Sequence, residues 1–346
     1  MSAGRSARTG GATGSGIDEA VRVLCAGGLV AFPTETVYGL GADASSPEAI
    51  ASCFAAKGRP ADHPVIVHVA ERTALDEWSS EPPASARRLV EAFWPGPLTV
   101  VVPRADHVLD DVTGGQETVA LRMPDQPVAS ALLRGFAAVR GRPSGIVAPS
   151  ANRFGQVSPT TADAVTEDLG DAVDIVLDDG LCAVGVESTI VDCTADPPRI
   201  LRPGVITAEQ IGDALGTSPV ERPSRSGTAE ATPPPRVPGS LETHYAPRAR
   251  VRVVATADEV LSAVANALGS GDRVGVLGAL GDTSLPEGVV DLRVPSDPAG
   301  YARHLYARLR EADRRGVDVI VALPPEPEGV GLAVADRLVR AAGGAR

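Results

Sequence analysis

The chain is poor in lysine. Among 346 residues it has one, Lys57, and every other fixed positive charge is an arginine. Arginine stands in for lysine even along plain surface-helix sequence such as residues 302–315, so the bias is compositional, and the one lysine retained is a candidate for chemistry. Asparagine is nearly as scarce, with only Asn152 and Asn266. Aromatics make up 3% of the chain. Its cores must therefore be built from Val, Leu, Ala and Ile, and no aromatic platform exists on which nucleic-acid bases could stack. Four cysteines, Cys25, Cys53, Cys182 and Cys193, lie far apart with no CxxC or Cys/His spacing, which argues against a zinc site and fits reduced thiols in a cytoplasm. No apolar run approaches the ~20 residues a membrane helix needs. A basic excess is missing too: 44 acidic against 32 basic residues leave a net charge of −12, which speaks against broad electrostatic binding of nucleic acid but leaves room for a local basic pocket. Walker, GxGxxG, HExxH and GxSxG patterns are absent, so neither a phosphate loop nor a hydrolase nucleophile is written in the chain.

What is present gathers in residues 31–69. An apolar strand over 29–32 runs into Phe32-Pro33-Thr34-Glu35-Thr36-Val37-Tyr38-Gly39-Leu40, hydroxyls, a carboxylate and a phenol at the end of a rigid element, which is the layout of a binding loop. Pro47 after Ser46 opens a helix that delivers Lys57-Gly58-Arg59 at its end. A compact ammonium beside a planar guanidinium suits a polyphosphate better than a single carboxylate, whereas a solvated pair favoured by the helix dipole is the bland alternative. The strand Val65 to Val69 carries one imidazole, His68. A charge, Arg122, ends the short strand that begins at Thr118, and Asn152 sits two residues after Ser150 in a Pro-Ser-Ala-Asn turn.

The length implies two domains. Residues 1–16 read as a disordered tail without a secretory core, 17–211 as an α/β domain, 212–247 as a Pro-rich linker partly in polyproline II, and 248–346 as a smaller α/β domain. In the first domain, a helix over 127–133 leads into an Arg- and Gly-rich loop over 134–144. In the second, alternating strands and helices predict a doubly wound parallel layer.

These blocks, with Trp94-Pro95-Gly96-Pro97-Leu98-Thr99, Gly185-Val186-Glu187-Ser188-Thr189-Ile190, Leu201-Arg202-Pro203-Gly204 and His244-Tyr245-Ala246-Pro247, run in order over roughly residues 17–247. Together they resemble the YrdC-type threonylcarbamoyl-AMP synthase family in its two-domain form. The resemblance implies an open, twisted mixed sheet with helices and a concave site, followed by the smaller domain. It implies an L-threonylcarbamoyladenylate synthase, cytoplasmic, that uses L-threonine, bicarbonate or CO2, and ATP with Mg2+, and serves tRNA threonylcarbamoyladenosine formation, with hand-over to a transferase and a weak tRNA contact as the expected partnerships. Carried over by motif, Thr36, His68, Arg122, Ala148 and Ser188 are expected on threonine. Lys57, Arg59, His63, Thr118, Ser150, Asn152, Ser158, Arg202 and Tyr245 are expected on ATP, with Lys57 and Arg59 stabilising charge and no protein-borne metal site. Tyr245, returned to the pocket by the linker, would act as a lid. Departures are His63, where relatives often have Asn, and Leu241-Glu242-Thr243, where they often carry basic residues. The alternatives are an RNA- or ribosome-binding module without turnover and a carbamoyl-transferring maturation enzyme, whose acylphosphatase and zinc modules this chain lacks.

Overall fold

The computed structural model of the protein describes residues 8–11, 14–217, 234–239, 245–281 and 284–343. The chain divides into two compact units. The first comprises residues 1–154, 159–182 and 187–240, and the second comprises 155–158, 183–186 and 241–346.

The first unit contains β1 (Arg8–Gly11), α1 (Gly14–Cys25), β2 (Val30–Phe32), β3 (Gly39–Asp43), α2 (Pro47–Lys57), β4 (Ile66–His68), α3 (Ala74–Trp78), α4 (Ala84–Phe93), β5 (Leu98–Pro103), α5 (Asp110–Thr113), β6 (Thr118–Arg122), α6 (Pro127–Arg140), β7 (Ile146–Val147), α7 (Ala162–Leu169), β8 (Ile175–Asp178), β9 (Thr189–Asp192), β10 (Arg199–Arg202) and α8 (Ala208–Leu215). Its strands form one ten-stranded sheet in the order β1-β8-β2-β3-β7-β4-β6-β5-β9-β10. The sheet is mixed, as expected: β4–β6 and β5–β9 are parallel, and β3–β7, β4–β7 and β5–β6 antiparallel.

Side chains alternate across a strand, so each strand serves two faces. Val67, Leu121, Val100, Val147 and Val191 point into the main core with Ile50 and Phe54 of α2 and Leu89 and Val90 of α4. On the opposite face, Val30, Phe32, Ile146, Ile175 and Leu177 are covered by α1 and α6. Further along that face the apolar cluster is small, comprising Ile66, Val101, Ala120, Ile190 and Val237. Val237 comes from residues 234–239, a stretch with neither helix nor strand. This thinly covered area is where the polar residues described below collect.

The structure corrects several expectations. Residues 8–11 pair in parallel with β8 and are therefore not tail. The loop expected over 134–144 is helix as far as Arg140, because Val128, Leu132, Leu133 and Phe136 present one buried face despite Gly135. Residues 39–43 form a strand that glycine content concealed. A Cβ at Gly41 would stand 3.0 Å from Phe32 Cε1 and 3.1 Å from Ile146 Cγ2, so the neighbouring side chains occupy the space a side chain would need. α7 was not foreseen, and α8 runs past the expected boundary at 211 with a Thr207–Gln210 capping box. The linker reading for 218–233 and the residues Leu241 to His244 lie outside the described residues.

The second unit holds β11 (Arg250–Val253), α9 (Ala257–Gly269), β12 (Val274–Leu277), β13 (Val290–Asp291), α10 (Pro298–Arg314), β14 (Val319–Ala322) and α11 (Val330–Gly343). Its four strands are all parallel, in the order β11-β14-β12-β13. Val260, Ala263 and Val264 of α9 pack on Val274, Val276, Val319 and Val321. Ile320 and Ala322, equally buried, point the other way. Burial on both faces explains why these strands are near-continuous apolar runs.

Candidate functional site

Strand register sets the first group of site residues. His68 of β4 pairs with Arg122 of β6, and Arg122 pairs with Thr99 of β5. Thr99 pairs with Ile190 of β9, so Ser188, two residues earlier, falls on the same face. Ala148 follows β7 on this face too, and its N–H donates to Ile66 O at 3.2 Å. Thr99 Oγ1 and Ser188 Oγ lie 2.8 Å apart. A register shift in β10 between Ile200 and Arg202 turns the Arg202 guanidinium onto Ser188, with Nε donating to its carbonyl at 3.1 Å and Nη2 to its hydroxyl at 3.0 Å. Regular pairing thus produces a row, His68, Arg122, Thr99, Ser188, Arg202, across neighbouring strands. Every member is buried.

The loop after β2 supplies the other wall. Thr34 Oγ1 donates to Val37 O at 2.6 Å and lies 2.9 Å from Thr36 Oγ1, which fixes Thr36 with 0% exposure. Between them Glu35 reaches Arg122: Oε1 and Nη2 are 2.8 Å apart, with side chains 11% and 5% exposed. The pair is in charge contact but poorly aligned for hydrogen bonding. Both Glu35 oxygens, Arg122 Nε and Nη2, and His68 Nδ1 are buried without a hydrogen-bond partner. Burial, reinforced by the Arg122 charge, pushes His68 down to about 3, so its ring is neutral at any ordinary pH. Cys182 also lies close enough to feel Glu35 and Arg122, but burial pushes its thiol up to about 12, so it is no thiolate nucleophile. Glu35 was seen in the sequence only as part of a binding loop. Its contact with Arg122 spans distant chain segments, and nothing local announces it.

The second group surrounds the Pro-Ser-Ala-Asn turn. Gly39 bridges Ser150, Leu40 N donates to Pro149 O at 2.7 Å, and Ala151 N donates to Tyr38 O at 2.9 Å, so β3 braces the turn. Lys57, at the end of α2 and 3% exposed, donates from Nζ to the carbonyls of Ser150 and Asn152, the latter at 2.5 Å. Burial lowers its pKa to about 7. Lys57 therefore holds the turn that carries Ser150 and Asn152, a positioning role the sequence did not disclose. Arg59 donates to Pro64 O at 2.7 Å, and its guanidinium carbon lies 5.8 and 5.7 Å from the ring centroids of Phe54 and Phe154. His63 meets Phe154 edge-on at 5.3 Å, and burial followed by the Arg59 charge lowers its pKa.

Thr118 stands on the same face of β6 as Arg122 but four residues away, roughly 13 Å along the strand. It lines an open groove of about 1020 Å³ with Gln116, Arg199 and Arg236. Ser158 and Tyr245 belong to the second unit. Ser158 is fully buried. The Tyr245 ring stacks on Tyr306, 5.8 Å between centroids, with the Arg337 guanidinium 5.5 Å from its own centroid. It is the one non-glycine residue with positive φ (62°) among the described residues. Its side chain is thus anchored inside its own unit. No group of three or more His, Cys, Asp or Glu that could hold a metal occurs among the described residues.

Residues 22–204 match the Sua5/YciO/YrdC family model, described as "Telomere recombination", and residues 206–343 match that of "Threonylcarbamoyl-AMP synthase, C-terminal domain". The chain is 41% identical over 332 residues to a protein of Pyrococcus abyssi named threonylcarbamoyl-AMP synthase, covering 92% of this chain and 91% of that protein. It is 40% identical over 336 residues to one so named in Bacillus subtilis, covering 95% and 93%. The crystal structure of P. abyssi Sua5 complexed with L-threonine superposes with a TM-score of 0.88 at 38% identity, over 97% of this chain and 98% of that one.

Proposed function

The chain belongs to the Sua5/YciO/YrdC family in its two-domain form, and from that premise we infer that it is an L-threonylcarbamoyladenylate synthase. It joins L-threonine, bicarbonate or CO2, and ATP into threonylcarbamoyl-AMP and pyrophosphate for modification of tRNA. The observation that carries this reading is the row from His68 to Arg202 on one sheet face, with the Lys57–Arg59 group supplied by the segment that enters β4.

The residues divide the work by chemistry. Arg122 offers a planar guanidinium to the threonine carboxylate. Neutral His68, Thr36, Ser188 and the Ala148 backbone shape the remainder of the amino-acid site. Once the amine has become a carbamate, a carbamate oxygen attacks the α-phosphorus and pyrophosphate leaves. This step needs two anions held in line, so positioning and charge stabilisation dominate. Arg59, its guanidinium set between two aromatic rings, stabilises the leaving phosphates. Lys57 fixes the turn that presents Ser150 and Asn152 and adds its charge when protonated. Arg202, assigned to ATP, hydrogen-bonds Ser188, assigned to threonine, and so links the two assignments. Mg2+, arriving with ATP, would neutralise triphosphate charge. Hand-over of the adenylate to a tRNA-modifying transferase in the cytoplasm completes the proposal. No helix among the described residues is long and apolar enough to cross a membrane.

The test is pyrophosphate release from ATP and bicarbonate with and without threonine. Release that depends on threonine is expected, and equal release without it would overturn the reading. Salt-dependent RNA affinity without any turnover would favour the binding-module alternative instead.

A further inference from the structure

Glu35, whose carboxylate oxygens are buried, is the ionisable group of this site that the reaction as outlined leaves without a task. It lies opposite Arg122, 2.8 Å away, yet the pair is not self-contained. A buried carboxylate ordinarily accepts several aligned hydrogen bonds, and a buried guanidinium donates several. Here both carboxylate oxygens and Arg122 Nε and Nη2 lack one. Two opposite charges, each with unused capacity, share a wall with the hydroxyl of Thr36. That is the complement of a zwitterion: an α-carboxylate completes the guanidinium, and an α-ammonium completes the carboxylate. A purely structural ion pair would be expected to saturate itself, because an incompletely bonded buried pair is costly.

We propose that Glu35 binds the α-ammonium of threonine and accepts one of its protons, making it a catalytic residue for carbamate formation. The inference rests on the reading that Arg122 holds the threonine carboxylate. The ammonium has no lone pair and cannot attack carbon. In the step, the nitrogen forms a bond to the bicarbonate carbon and the C–OH bond breaks. The expelled hydroxide leaves as water with one ammonium proton, Glu35 keeps a second, and the third stays on the carbamate nitrogen. One ammonium, one bicarbonate and one carboxylate thus become one carbamate, one water and one carboxylic acid, with charge conserved. With CO2 the same nitrogen proton goes to Glu35, and the other departs to solvent. Arg122, facing a neutral acid after the transfer, keeps its hold on the same carboxylate in the product. Before threonine arrives, Glu35 serves as its stand-in on Arg122.

Glu35→Gln keeps the shape and removes both the charge and the base. In the full-length protein with ATP and bicarbonate at pH 7.5, kcat for threonine-dependent pyrophosphate release should fall about 100-fold or more, the lower end of what general-base loss costs. KM for threonine should rise about tenfold. Raising the pH deprotonates threonine's own amine in solution, so the deficit should shrink by roughly tenfold per pH unit toward pH 9, which a packing defect would not do. Glu35→Asp, which keeps charge and basicity, should recover at least a tenth of the rate, and it carries the test if the glutamine variant does not fold. A glutamine variant within threefold of wild type, a deficit that does not respond to pH, or an aspartate variant as dead as the glutamine one would each overturn the proposal. Arg122→Gln separates the two readings. If threonine KM is unchanged in that variant, the carboxylate assignment itself is wrong. If it rises sharply while Glu35→Gln stays active, only the role of Glu35 fails.

Discussion

Lys57 shows how a residue can be legible as important while part of its task stays hidden. Its uniqueness in the sequence singled it out as a phosphate ligand. The structure shows why it is also a brace: α2 ends in a left-handed Gly58, and the ammonium turns back beneath the carbonyls of Ser150 and Asn152. With a pKa near 7, its charge is lost as pH rises through neutrality. We therefore expect kcat/KM for ATP to show an alkaline limb with an apparent pKa near 7. The limb should lie higher in kcat, because bound triphosphate favours the ammonium. It should vanish in Lys57→Met, and a limb that persists there would belong to another group. The same shift acts on stability in the opposite direction. Between about pH 7 and the ordinary value of 10.5 the unfolded chain holds a proton that the folded chain has shed, so this group makes stability rise with pH across that window. His68 and Arg122 were recognised by motif, but Glu35 was not. Its meaning comes only from a contact across 87 positions of sequence, and no spacing rule reaches that far.

Among the elements, strands built from Val, Ile and Leu were read to within a residue or so, for example residues 29–32 for β2 and 65–69 for β4, because burial on one or both faces leaves a clear pattern. β3 was missed because Gly39 and Leu40 read as the end of a binding loop, although close packing of Gly41 against Phe32 and Ile146 leaves little room for a side chain there. α6 was cut short by the same habit of treating glycine and arginine as loop. Gly204 is the corresponding case at the site. A Cβ there would collide with the backbone nitrogen of Thr189 and the carbonyl carbon of Ser188. Gly204→Ala should push β9 away from its partner segment, displace the Ser188 hydroxyl from Thr99 and Arg202, and destabilise the protein by about 2 kcal/mol or more. Urea unfolding and threonine KM check this together. A variant of unchanged midpoint and KM would show that β9 yields without consequence.

Over the whole molecule, two domains and the α/β character of each could be read from length, the Pro-rich composition after residue 211 and the return of strand–helix alternation. What could not be read is that the units are discontinuous in sequence: residues 155–158 and 183–186 pack with the second unit although both lie inside the span assigned to the first. Gly185 illustrates the reason. With φ of +85° it lets its backbone run against Ala302 and Arg303 of α10, a contact decided by the tertiary fold. Tyr245 is held in the same unit by Tyr306 and Arg337, so Tyr245→Ala should cost about 3 kcal/mol of stability there, on the scale of other deleted buried aromatics. A differential scan in which the melting temperature does not move would favour a ring that spends its time elsewhere, as the lid reading requires. The solitary, sealed Lys57 carries a practical consequence at this scale. A reagent that acylates primary amines finds one side-chain target, and finds it only when the first unit opens. The rate at which the Lys57 adduct accumulates, told apart from that on the α-amine by peptide mass, is then a clock for opening that needs no engineered label. Bound ATP should slow the clock in proportion to how firmly it holds the closed state.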